Sequence, residues 1–191
     1  MGAMELRGTV ERDRPLLVVA MHEEAVHLGT DVPVLVTGPG KVRAATAVAG
    51  LLAVSRPAYV VNLGTAGALR AGLDGVHEVG TVVQHDFDDD GLFELTGRHF
   101  GAPLVLGDGP VLATGDRFVS GGAVREALAA RADLVDMEGY AVVAACRAAD
   151  VDVRLVKLVS DDAGEDAHRT WAKTVGDHAA TLAEWVRAQL S

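Results

Sequence analysis

Apolar runs rich in β-branched residues recur along this chain without the polar alternation of a half-exposed strand, and stretches of helical length lie between several of them. Short continuous runs of this kind read as strands buried on both faces. The candidates are Leu16 to Ala20, Val34 to Thr37, Tyr59 to Leu63, Thr81 to Val83, Val111 to Thr114, Leu134 to Asp136 and Val153 to Ser160. The helical stretches are Lys41 to Val54, Gly122 to Arg131, Met137 to Ala149 and Trp171 to Leu190. Strand and helix in turn require crossover connections, so the pattern predicts an α/β fold of three layers, αβα, with a mainly parallel central sheet.

Residues 85–110 break the rhythm. His85-Asp86-Phe87-Asp88-Asp89-Asp90 opens a polar stretch punctuated by Gly91, Gly97, Gly101, Gly107 and Gly109. A loop of that length in a compact domain is usually functional or mobile, and it reads as a flap or interface segment. Residues 1–14 read as a flexible, frayed terminus, with the second methionine, Met4, pointing to a vector-derived start ahead of the native one. Residues 15–191 are then expected to form a single domain, as the length of 191 residues favours.

Composition narrows the function classes. Hydrophobic residues make up 49% of the chain but aromatics only 4%, so the core must be built from Ala, Val and Leu. A net charge of -10 with scattered basic residues argues against a nucleic-acid partner, whose affinity comes from clustered Lys and Arg. The single cysteine, Cys146, follows Val142-Val143-Ala144-Ala145 and reads as a core thiol; an internal disulfide or a multi-cysteine zinc site is excluded. No run approaches the roughly 18 apolar residues of a membrane span, and the start lacks a basic-then-apolar signal, so cytoplasmic residence is the expectation. His85 and the aspartates after it lack metal-ligand spacing and read as a solvated acidic loop.

Polar residues gather where the apolar runs end. An open α/β sheet binds ligands outside the carboxyl ends of its strands, so Ala20-Met21-His22-Glu23-Glu24, Asn62-Leu63-Gly64-Thr65-Ala66-Gly67, Asp136-Met137-Glu138-Gly139-Tyr140 and Ser160-Asp161-Asp162 read as one site. Each has a plainer reading beside it. Glu23 and Glu24, like Asp136 and Glu138, could simply complement a helix dipole; Ser160-Asp161 could cap a helix; the glycines around Thr65 could form a turn. Thr37-Gly38-Pro39-Gly40-Lys41 fails as a phosphate loop, because its glycines are one residue apart and Val42 follows the lysine. It reads as a tight turn into a helix, or as backbone amides lining a pocket.

Taken in order, these segments resemble the nucleoside phosphorylase and nucleosidase superfamily, most closely its methylthioadenosine/S-adenosylhomocysteine nucleosidases. The resemblance runs from about Leu16 to Val186 and implies hydrolysis of the N-glycosidic bond of a purine nucleoside or a 5′-modified relative, with no metal or cofactor. It implies that Asp161 is the general acid that protonates N7 of the base, which requires an aspartic acid kept protonated by burial and a neighbouring carboxylate. It makes Glu24 the group that activates the water and Glu138 the acceptor of the ribose hydroxyls. Met21, Thr65, Ala66, Gly67, Phe118, Val119, Asp136, Met137 and Ser160 are implied in substrate binding, Phe118 by stacking on the base and Met137 by packing on the sugar.

Asn62 stands where phosphorolytic members carry an arginine for phosphate, which favours water as the attacking group. Asp136 replaces the more usual Glu, and Lys157 the more usual Arg. Only 12 residues separate Glu24 from Thr37, fewer than the family usually spends there. A phosphorylase and a nucleoside-binding module without catalysis remain the alternatives. The expected partner is a small-molecule nucleoside, and the chain is expected to form a homodimer through part of residues 85–110.

Overall fold

Every apolar run becomes a strand because helices cover both faces of the sheet it joins. The computed structural model describes residues 4–190, apart from the side chains of 168–173. In chain order the elements are β1 (Glu5–Arg7), β2 (Leu16–Val19), β3 (Val34–Val36), α1 (Lys41–Leu52), β4 (Val60–Ala68), β5 (Val76–Glu78), β6 (Thr81–Gln84), α2 (Asp89–Thr96), β7 (Leu104–Val105), β8 (Val111–Thr114), α3 (Gly122–Ala129), β9 (Leu134–Asp136), α4 (Gly139–Ala148), β10 (Val153–Asp161) and α5 (Ala167–Leu190).

Alternate residues of one strand feed opposite layers. Val18, Leu35 and Val60 pack against Ala44, Ala47 and Val48 of α1 and Val142 and Cys146 of α4. Their chain neighbours Leu17, Val19, Val61 and Leu63 face the other way, onto Leu182 of α5. Further along the sheet, Ala113 and Val135 meet Leu128 of α3. With both faces apolar there is no polar alternation to read. Burial pushes the Cys146 thiol up to about 12, as befits a core residue.

The sheet is mixed, not mainly parallel. It runs β1-β3-β2-β4-β9-β8-β6-β7, with β10 on β4 and β5 on β10. One parallel group joins β3, β2, β4 and β10, and another joins β6, β8 and β9. The two groups meet antiparallel, Gly67 opposite Val135 and Ala68 opposite Leu134. Antiparallel strands also close the rims, as β1 on β3, β5 on β10 and β7 on β6. Strand direction leaves no trace in a short apolar run, which explains the difference from expectation.

Two stretches expected to be irregular are ordered. Within the terminus read as frayed, Glu5 to Arg7 pair with Val36 to Val34. The backbone supplies that pairing whatever the side chains are, so a polar edge strand escapes an apolar pattern. Within 85–110 lie α2 and β7, and the acidic run is the start of α2. Asp88 caps it by accepting from the Gly91 N–H at 3.1 Å, and Asp89 and Asp90 occupy its first turn.

The core should be intolerant of gaps. Leu155 of β10 is fully buried among Ala66, Leu112, Leu134 and Val143, so Leu155→Ala is expected to cost about 2 to 5 kcal/mol. Urea unfolding should show a lower midpoint at an unchanged slope; a loss under about 1 kcal/mol would mean that the sheet collapses into the space left behind.

Candidate active site

The site opens where β4 changes partners. β4 pairs with β2 through Val60, Val61 and Asn62, and with β9 only at Gly67 and Ala68. Between these contacts the edge of β4 facing β2 and β9 is open, and a cavity of about 250 Å³ lies there. Its walls come from four strand exits and one loop. Met21 and Glu24 follow β2, Thr65, Ala66 and Gly67 belong to β4, and Asp136, Met137 and Glu138 end β9. Ser160 and Asp161 end β10, and Phe118 and Val119 follow β8. The residues implied in catalysis or substrate binding therefore all line one cavity, although Thr65, Ala66 and Gly67 are strand rather than loop, and Asn62 and Lys157 stand outside it. Residues 22–27 turn without forming a helix, so Glu24 complements no helix dipole.

Glu24 fills the gap in the ladder. Its Oε1 accepts from the Thr65 N–H at 2.9 Å and the Thr65 hydroxyl at 3.1 Å, and its Oε2 accepts from the Met21 N–H at 3.2 Å. Thr65 thus directs to a carboxylate the amide that a neighbouring strand would otherwise take. Gly64 makes the approach possible, since a Cβ there would lie 3.1 Å from Glu24 Oε1. Only 4% of Glu24 is exposed.

Asp136 anchors the opposite wall. Its Oδ1 accepts from the Thr114 hydroxyl at 2.6 Å; its Oδ2 accepts from the Gly139 N–H at 2.8 Å and lies 2.8 Å from Lys157 Nζ. Gly139 lets α4 begin this close to the sheet, because a Cβ would come within 2.7 Å of Leu112 Cδ2 and 3.0 Å of Asp136 Oδ2. Glu138 then faces the cavity with Oε1 accepting from the Gly40 N–H at 2.8 Å. Burial, with the Asp136 carboxylate second, pushes the Glu138 carboxyl up to about 8, against the opposing pull of Lys157 and the Gly40 amide. Burial alone would lower the Lys157 ammonium, but Asp136, Glu138 and Glu24 hold it above the usual lysine range.

Asp161 is oriented by its own strand end. The register of β10 against β4 slips between Val159 and Asp161, an irregularity that re-aims Ser160 and Asp161. The Ser160 hydroxyl donates to Asp161 Oδ2 at 2.7 Å and the Ala163 N–H to Oδ1 at 2.8 Å. Ala163 is fully buried in a left-handed conformation, φ 51°, which costs a non-glycine residue about 1 kcal/mol or more. That conformation turns its amide onto the carboxylate.

Residues 97–189 match the family described as Phosphorylase superfamily. The 5'-methylthioadenosine/S-adenosylhomocysteine nucleosidase of Bacillus subtilis (strain 168) is 31% identical over 201 residues, covering 87% of this chain and 86% of that protein. The chain belongs to this nucleosidase family. A second relative carrying the same name, from Geobacillus sp. (strain WCH70), is 29% identical and covers 95% of this chain and 93% of its own length. In structure, the fold matches a mutant of the Helicobacter pylori nucleosidase with 5'-methylthioadenosine in its active site, at TM-score 0.81, 20% identity and coverage of 93% and 98%. It also matches the futalosine hydrolase of the same organism, at TM-score 0.79, 19% identity and coverage of 92% and 96%.

Ala20, Pro39, Arg117 and Val135 also line the cavity of this nucleosidase-family chain; Ala20 and Pro39 lay in segments marked in the sequence, but none of the four was named as a binding residue. Ala20 and Val135 are ordinary apolar strand ends, which nothing local distinguishes. Pro39 and Arg117 stand beside conspicuous glycines, but a turn residue and an exposed arginine carry no chemical pattern by themselves. Asn62 does not line the cavity; it is 2% exposed and its Nδ2 donates to the Val18 carbonyl at 3.0 Å.

The Glu138 carboxyl should leave a mark on stability. An acid that binds its proton more tightly when folded stabilises the fold below its unfolded value, near 4.5; that contribution is lost as pH rises toward about 8. The ligand-free protein should therefore lose stability across that interval relative to Glu138→Gln, whose urea midpoints should vary less with pH. Parallel curves for the two proteins would place the proton elsewhere.

Proposed function

We propose that this N-glycosidase releases the base of a 5′-substituted purine nucleoside through three carboxylates, Asp161, Glu24 and Glu138, that reach one cavity from three strand exits. That convergence carries the reading. As the bond between C1′ and the base breaks, its electron pair moves to the base and the ribose ring becomes cationic. Asp161 delivers a proton to the base, its plane set by the Ser160 hydroxyl and the Ala163 amide. Glu24 takes a proton from the water as the water oxygen bonds to C1′. Glu138 accepts the ribose hydroxyls, and both glutamates offset the developing positive charge. Phe118, 37% exposed at the cavity, offers a ring face to the base, with Val119 beside it.

Water is favoured over phosphate by what Glu24 already occupies. The Thr65 amide and hydroxyl and the Met21 amide are the donors an anion would need, and a carboxylate holds them. A phosphate dianion would meet that charge with Arg117 as the cation lining the cavity. A nucleoside-binding module would have no use for three buried or half-buried carboxylates around one ligand, whose desolvation weakens binding.

Asp161→Asn should keep the fold and lose roughly 10² to 10⁴-fold in base release, because the amide cannot supply the proton. The assay is adenine release from 5'-methylthioadenosine, with the sugar product weighed by mass spectrometry. Wild-type turnover by the variant would remove Asp161 from the role, and a sugar phosphate would make the reaction phosphorolysis.

The same reading includes a homodimer built on residues 87–105. Phe87, Phe93, Leu95, Phe100 and Val105 are 38%, 45%, 83%, 53% and 63% exposed, and α2 buries no residue of its own. A second copy would cover that apolar surface. Light scattering at micromolar concentration should give twice the chain mass, and Phe93→Glu with Phe100→Glu should halve it. A fully active monomer would show that the segment serves another purpose.

A further inference from the structure

The proposed chemistry leaves one buried charge without a task. Lys157 sits in the middle of β10, 2% exposed and outside the cavity lining, so it does not reach substrate. Its Nζ lies 2.8 Å from Asp136 Oδ2. Asp136 is already held by the Thr114 hydroxyl and the Gly139 amide, so it needs no lysine to be hydrogen-bonded. A buried ion pair is commonly no more stabilising than apolar residues of the same volume. Fold stability is therefore a poor explanation for placing a lysine here.

The surroundings supply a better one. Glu138 is faced by Asp136 from β9, by Glu24 from the turn after β2, by Lys157 from β10 and by the Gly40 amide at the start of α1. His85, just beyond β6, faces Asp136 from the other side, and burial holds its ring toward the neutral form. Lys157 is thus the cation in a group of three carboxylates. Without it, Asp136 and Glu138 would oppose one another with only Met137 between them, and Glu138 would hold its proton still more tightly as the ribose arrives.

We propose that Lys157 is a positioning residue: by pairing with Asp136 it offsets the charge beside Glu138 and so eases loss of the Glu138 proton when the ribose hydroxyls bind. The proposal rests on the nucleoside reading for the identity of what Glu138 binds. It also joins two departures from the family's usual sequence, since Asp136 and Lys157 are each other's partners. A shorter carboxylate and a lysine form one unit across β9 and β10.

The test reads Glu138 twice, once without substrate. Its carboxyl carbon is followed by NMR during a pH titration, assigned by the signal lost in Glu138→Gln; kcat/KM for 5'-methylthioadenosine is followed over the same range. Lys157→Gln should move the Glu138 midpoint upward by about one pH unit or more, and the acidic limb of kcat/KM with it, about a tenfold loss at pH 7. Asp136→Asn should move both downward, because Lys157 would then face Glu138 without its partner. Lys157→Arg, which keeps the charge, should stay near wild type in both.

A purely structural Lys157 would give loss of activity with no opposed shifts. Unmoved midpoints, or shifts in the same direction for Lys157→Gln and Asp136→Asn, overturn the proposal. Should Lys157→Gln fail to fold, Asp136→Asn and Lys157→Arg decide it alone, since an unmoved or upward midpoint in Asp136→Asn is equally fatal. Failure of the wild type to release adenine would instead remove the substrate reading, while the NMR midpoints would still report whether Lys157 governs Glu138.

Discussion

A single strand, β4, joins two half-sheets of opposite direction and cannot pair with both along its whole length. β2 leaves it after Asn62 and β9 reaches it only at Gly67. The intervening edge has amides that need partners, and in a buried setting each unpaired one costs on the order of 1 to 3 kcal/mol. Glu24 answers that need at Thr65. The carboxylate proposed to hold the water is thus also the group that completes the sheet, so its place is set by backbone hydrogen bonding and not by a mobile loop. The opposite wall depends on the same junction, because β9 ends where it meets β4 and delivers Asp136 and Glu138 to the gap.

Gathering acids in this way creates an electrostatic problem that the fold resolves with few groups. Three carboxylates, Glu24, Asp136 and Glu138, are at most 8% exposed. Charges so placed lose several kcal/mol of hydration each unless paired or protonated. Lys157 pairs with Asp136, Thr65 and Met21 satisfy Glu24, and Glu138 rises toward about 8 and takes up a proton when no ligand is bound. Asp161 lies apart from this group, at the end of a different strand with its own donors. The separation suits the division of labour, since the cation forms on the sugar and the anion on the base.

Val111 to Thr114 and Leu134 to Asp136 were legible to the residue, because a run buried on both faces has clear polar or glycine boundaries. The gathering of Glu24, Glu138 and Asp161 in one cavity was legible too, because polar residues at several strand exits of an α/β sheet point to one place, while the roles proposed for them came from the family resemblance. Three kinds of feature escaped. The antiparallel contact of Gly67 with Val135 links residues far apart in the chain, and nothing local encodes strand direction. β1 and β5 are short and largely polar and β7 is only Leu104–Val105, so all three owe their pairing to the backbone. The partner of Lys157 required knowing that β9 and β10 flank β4 on opposite edges, so a lysine inside an apolar run stood out without explaining itself.

The carboxylates proposed for the chemistry and the surface segments around them differ in how they are held. Asp136, Thr65 and Asp161 belong to strands whose neighbours are fully buried leucines and valines, so displacing them would disturb the core. The segment after Glu24, by contrast, crosses from β2 to β3 in a run of turns, tied to the core at Ala25 and Val32 but with Val26 60% exposed, and α2 buries none of its own side chains. Segments with so few buried contacts can change length or sequence at little cost to the fold. A short connection between Glu24 and Thr37 therefore leaves Glu24 in place for the role proposed for it, because Glu24 is anchored through Thr65 and Met21 and not through the turns on its C-terminal side. Such a change leaves the carboxylates where the sheet junction puts them, since none of residues 25–36 is among those that line the cavity.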